Sequence, residues 1–163
     1  VGEAADLLML FKDTGSHTFA SHIEGQLKQP ADPTRVETTL CPVTLYSISG
    51  AFEEGGITKV TVPRTYADHG VTVVDTEVEL VGTMGSKGTA GKVCIGGGRL
   101  WLGYGEDGRR DLRSCRQLVK KDELPDDKTY VGTFIGDGRR ATLAASHLFT
   151  CVDLEIYTLQ VPD

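Results

Sequence analysis

A period-two alternation of apolar and polar residues recurs along this chain and leaves few folds open. It runs through Val43-Thr44-Leu45-Tyr46-Ser47-Ile48, then Ile57-Thr58-Lys59-Val60-Thr61-Val62, then Val71 to Val81, and closes with Phe149 to Leu159. On a helix these residues would scatter around the circumference, whereas on a strand they sort onto two faces. In the third segment Val74, Thr76, Val78 and Leu80 fall on one face and Asp75, Glu77 and Glu79 on the other. That is the signature of a sheet with one wet side.

The intervals between these segments are rich in turn formers. Ten glycines lie between positions 82 and 108, around two short apolar runs, Lys92 to Ile95 and Arg99 to Tyr104. Glycine at that density beside strand-like segments predicts bulges, sharp bends or close sheet approach. Asp107-Gly108 and Asp137-Gly138 read as tight turns. The second is expected to join strands at Tyr130 to Ile135 and Arg140 to Ala145. Seven or eight strand candidates with no long amphipathic helix predict an all-β chain, an antiparallel β-sandwich or barrel.

Two regions read differently. Leu7, Leu8, Leu10 and Phe11 fit one short helix stopped by Gly15, and Pro30-Ala-Asp-Pro33 marks a connector. Residues 1–37 are therefore expected to form a short helical or extended N-terminal arm packed on a β-sandwich domain of residues 38–163. Leu112, Cys115, Leu118 and Val119 have helical spacing and predict one or two helical turns within the polar stretch from Arg109 to Asp127.

Composition narrows the function classes. The chain has 163 residues, with 17 Lys and Arg against 23 Asp and Glu, a formal net charge of −6. A duplex binder usually carries a basic excess, so nucleic acid is not expected as the principal ligand of this chain alone. The longest apolar run, Leu7 to Phe11, is far too short to span a bilayer. Cys41, Cys94, Cys115 and Cys151 form no C-x-x-C pair, and reduced, buried thiols are expected ahead of disulfides. The chain contains no Asn, so N-glycosylation is excluded. It begins at Val1, which leaves open an arm or leader ahead of it.

No segment carries a recognisable reaction motif. Gly85 to Val93 fails as a phosphate loop, because five residues separate Gly85 from Gly91 and Val93 follows Lys92. Cys94 before Gly96-Gly97-Gly98 would need a histidine partner to serve as a nucleophile, and is expected to point into the core instead. Ser21-His22 and Ser146-His147 are adjacent pairs, which on a strand face opposite ways. No enzyme activity, no catalytic residue, no metal site and no cofactor is expected. The basic residues Arg109, Arg110, Arg113 and Arg116, with Arg139 and Arg140 if the two Asp-Gly turns share one end, are candidates for contact with an anion or a partner. Trp101, Tyr104 and Tyr130 are candidates for a ligand platform in a carbohydrate-binding sandwich of lectin or receptor-binding type.

One stretch resembles a known family. A strand from Val73 to Leu80 is followed by Gly82 to Val93 with its Thr89-Ala90-Gly91, by Leu100-Trp-Leu-Gly-Tyr104, by the acidic Glu106-Asp107, and by Ser114 and Gln117-Leu118. The order is similar to the middle of single jelly-roll coat proteins of small icosahedral RNA viruses, and Phe149 to Val161 is similar to their last strand. Two features depart from the family pattern: no Arg/Lys-rich arm is present, and Cys94 to Arg99 lengthens one interval. The resemblance implies a sandwich of jelly-roll type and a structural coat subunit that assembles with copies of itself. It implies location in the virion and host cytoplasm, and contact with viral RNA through a local basic patch or a missing arm.

Overall fold

The computed structural model describes residues 6–25, 30–32, 35–62, 65–68, 71–74, 77–81, 91–108 and 110–159. The strands are β1 (Asp6–Asp13), β2 (Thr18–Glu24), β3 (Val36–Leu40), β4 (Val43–Ser49), β5 (Thr58–Thr61), β6 (Thr65–Asp68), β7 (Val71–Val74), β8 (Glu77–Val81), β9 (Val93–Ile95) and β10 (Leu100–Leu102). A single helical turn α1 (Gly105–Gly108) precedes β11 (Ser114–Gln117) and β12 (Val119–Lys120). A 3-10 turn at Lys121–Glu123, β13 (Arg140–Ala141) and the long β14 (Leu148–Leu159) complete the chain.

Ten strands join in the order β3-β8-β9-β10-β11-β14-β1-β2-β4-β5, while β6-β7 and β12-β13 form two small ribbons. Every registered pair is antiparallel. The large sheet folds over on itself. Leu7, Phe11, Phe19, Leu45 and Val60 from one half share a buried core with Ile95, Leu100, Leu102 and Cys115 from the other. Phe19 meets Phe149 edge-on at 5.5 Å between ring centroids. The chain is thus an all-β antiparallel sandwich, as the alternation predicts.

β14 belongs to both halves. Leu148 to Thr150 pair with β11, and the Cys151 amide donates to the Arg113 carbonyl at 2.8 Å. At Val152 the register with β1 slips, with Asp13 opposite Cys151 but Lys12 opposite Asp153. That bulge bends the strand, and from Asp153 to Leu159 its partner among the described strands is β1 alone.

The first segment departs from the helical expectation. Asp6–Asp13 and Thr18–Glu24 are strands within the sheet, with β1 held between β14 and β2. A five-residue apolar run does not by itself distinguish helix from buried strand, and here partners on both sides claim the backbone. Leu7, Met9 and Phe11 face the core, and Phe11 stacks on Phe19 at 5.2 Å. The helical turns expected around Leu112 to Val119 are replaced by β11, whose residues pair with β10 and β14. Within the segment expected as one strand from Val71 to Val81, Val71–Val74 and Glu77–Val81 are strands, and residues 75–76 lie outside the described residues. Tyr130 to Ile135 makes only bridges, Phe52 to Tyr130 and Ile135 to Arg140, around the expected Asp137-Gly138 turn. The Thr89-Ala90 part of the Thr-Ala-Gly loop lies outside the described residues. Among the described residues no helix is long and apolar enough to cross a membrane.

Candidate anion-binding groove

The β9–β10 hairpin turns through Gly96, Gly97 and Gly98, whose φ angles of 70°, 65° and 90° lie where side chains are strained. Arg99 follows and locks the turn. Its Nη1 donates to the Gly96 carbonyl at 2.8 Å, its Nε to Glu123 Oε2 at 2.9 Å, and its Nη2 to Glu123 Oε1. The charge of Arg99 is therefore spent inside the fold.

On β10, Leu100 and Leu102 point to the core and Trp101 points outward, directly opposite Arg116 of β11. The Arg116 guanidinium lies 5.2 Å from the centroid of Tyr104, and the Trp101 and Tyr104 rings are 6.0 Å apart. Next to them β12 and β13 place Lys120 directly opposite Arg140. Like charges facing across a strand pair are unfavourable, and an anion between them would reverse the sign. Arg116, Lys120 and Arg140, with Trp101 and the backbone at Gly97 and Gly98, line a groove of about 320 Å³. None of the ion pairs among the described residues involves Arg116, Lys120 or Arg140. A second cleft of about 620 Å³, also lined by Lys120 and Arg140, adds Lys121 and Arg139 together with Asp122 and Asp126. Lys121 Nζ sits 4.8 Å from the Phe134 ring centroid.

The structure divides the arginines that the sequence groups together. Arg116 and Arg140 meet in the groove, and Arg139, exposed and paired with Asp137 at 3.3 Å, borders it. Arg110 lies elsewhere, beside Glu106, Asp107 and Asp111. Arg113 is held by Asp111 through contacts of 2.9–3.1 Å, which raise the arginine's pKa and lower the aspartate's. Arg109 lies outside the described residues. Of the aromatic platform, Trp101 and Tyr104 are neighbours and Tyr130 is not. Tyr130 packs on Phe52 and Phe134, and its hydroxyl accepts from the Thr142 amide and donates to the Thr142 carbonyl, each at 3.1 Å. Lys120 completes the groove, and only the Lys120-Lys121 run hinted at it.

The four cysteines are buried thiols, none in a disulfide. Cys94 is buried, but in register with Trp101, on the face of β9 opposite to that of core residue Ile95. Burial, and then the neighbouring Cys151, push the Cys115 thiol up to about 12, so it stays protonated at neutral pH. Chemically, the groove offers fixed positive charge and ring faces, a set suited to anionic or planar ligands. No protein-family model, no curated protein and no solved structure matches this chain.

Proposed function

We propose that this chain is a structural subunit of coat-protein type that assembles with copies of itself into a closed shell on a jelly-roll-type sandwich. The observation that carries the reading is apolar exposure on two separate surfaces of one small domain. On the outer face of β1, β2 and β4, Leu8, Leu10, Tyr46 and Ile48 line an apolar groove of about 310 Å³, with Ile57 beside them 70% exposed. On the other face of the sheet, Leu154 and Ile156 of β14, opposite Phe11 and Met9, are also exposed. Contiguous apolar surface on a soluble domain marks interaction sites. A shell subunit needs more than one kind of contact, because a single two-fold patch closes at the dimer. The likeness of residues 73–162 to jelly-roll coats points the same way. In such a particle, found in the virion and the host cytoplasm, the basic groove would meet RNA phosphates.

Molar mass by light scattering across salt and pH tests the proposal. Particles of dozens of subunits are expected, and a monomer under every condition overturns it. One observation favours a second reading, a non-enzymatic carbohydrate-binding sandwich: Trp101, which lines the groove, has the Tyr104 ring beside it at 6.0 Å. Trp101 is the sole tryptophan, so a fluorescence change on adding a sugar to monomeric protein would favour that reading.

A further inference from the structure

We infer that two copies of this chain pair antiparallel through the free edge of β14, about a two-fold axis at Ile156. The inference rests on the self-assembly reading and names one of its contacts. Beyond the bulge at Val152, no described strand pairs with the β14 edge that faces away from β1. Along the segment from Asp153 to Leu159 every second residue turns its N–H and C=O to that side, a row of unpaired groups that templates another strand.

The side chains show what kind of strand fits. Phe11 and Met9, buried in the core, stand directly opposite Leu154 and Ile156. Opposed residues share a face, so Leu154 and Ile156 lie on the core side of the sheet. They nevertheless remain 39% and 46% exposed. A second β14 with its axis perpendicular to the sheet sets these apolar residues on one common face. An odd-numbered slip would place them on opposite faces.

Charge then selects the register. Centring the pair on Leu154 sets Asp153 against Glu155 of the other copy, and centring it on Glu155 sets that carboxylate against itself. Like charges directly opposite are destabilising. Centring on Ile156 sets Glu155 against Tyr157, Leu154 against Thr158 and Asp153 against Leu159. This register uses the whole seven-residue segment with no acid facing an acid.

Single-cysteine scanning in the full chain tests the register, with the native cysteines buried. Ile156→Cys is expected to cross-link to itself on mild oxidation, while Leu154→Cys and Thr158→Cys alone do not but cross-link when mixed. Amides from Asp153 to Leu159 are expected to gain exchange protection with protein concentration. Ile156→Lys, checked for folding by circular dichroism, is expected to weaken association by roughly 100-fold. Associated protein without the Ile156→Cys cross-link overturns this edge contact and leaves the assembly proposal standing. Cross-linking that ends at a dimer supports the edge and overturns the shell. Protection of the edge at every dilution means the chain's own segment covers it, and overturns the inference.

Discussion

Arg99 and Glu123 form a bidentate ion pair that joins the β9–β10 turn to the 3-10 turn, with side chains only 14% and 5% exposed. Removing one partner strands the other charge in a poorly solvated site, which typically costs about 3–5 kcal/mol. Arg99→Ala is therefore expected to lower stability by about that much. Replacing both residues with apolar groups should cost much less. Urea denaturation of the single and double variants checks this, and equal losses in both would contradict it.

Gly103 and Gly108 meet backbone to backbone where α1 folds against the end of β10. A Cβ built on Gly108 would lie 2.1 Å from the Gly103 carbonyl oxygen, and backbone cannot yield as a flexible side chain can. Gly108→Ala is expected to destabilise by about 3 kcal/mol and to loosen the turn from Gly105 to Gly108. Gly105→Ala has open space, so it should show only the smaller strain of its positive φ of 75°. The ranking of the two urea midpoints is the measurement.

These two sites also show how far the sequence could be read. Alternation at Val43 to Ile48 and Phe149 to Leu159 identified strands, because burying one face of a sheet imposes period two on the residues. Glycine density around 82–108 agrees with the tight turn at Gly96 to Gly98, whereas the close contact at Gly108 is made by a helical turn against the end of β10 and not by two sheets. The helical reading of Leu7 to Phe11 failed because its state is decided by pairing with the hairpin partner β2 and with β14, which lies at the far end of the chain. Arg116 and Arg140 were legible as basic residues, but their union with Lys120 depends on pairings between β10, β11, β12 and β13. The separation of Tyr130 from Trp101 has the same origin. Local pattern records burial, while a site built across strands records register.

The groove at Trp101 yields a test with a salt-dependent signature. Three cations meeting phosphates of a single-stranded chain release counterions, giving a slope of log K against log salt of about −2. A short uridine oligonucleotide is the probe, read by fluorescence of Trp101. Arg140→Glu and Lys120→Glu are each expected to reduce binding and to flatten the slope by about 0.7 or more. Arg113→Glu, whose arginine already pairs with Asp111 away from the groove, should leave both nearly unchanged. Equal effects from all three variants would mean that net charge alone, not the groove, attracts the ligand.

Cys115 makes stability depend on alkaline pH. Burial, and then the nearby Cys151, raise its pKa from 9.0 to about 12, because the folded interior disfavours the thiolate. The unfolded chain releases the proton first, so from about pH 9 upward the folded state binds more protons than the unfolded state. Stability from this group is fully present below pH 9 and drains away as pH rises toward 12. Burial shifts Cys151 and Tyr130 in the same direction, so they add to the slope. The urea midpoint is therefore expected to fall between pH 9 and pH 12, and Cys115→Ala should fall less steeply over that window. At pH 8, alkylation of Cys115 in the folded protein should be slow and limited by opening of the β11–β14 pairing. Thiol labelling followed by peptide mapping separates this from rapid, direct modification, which would place the Cys115 sulfur in contact with solvent.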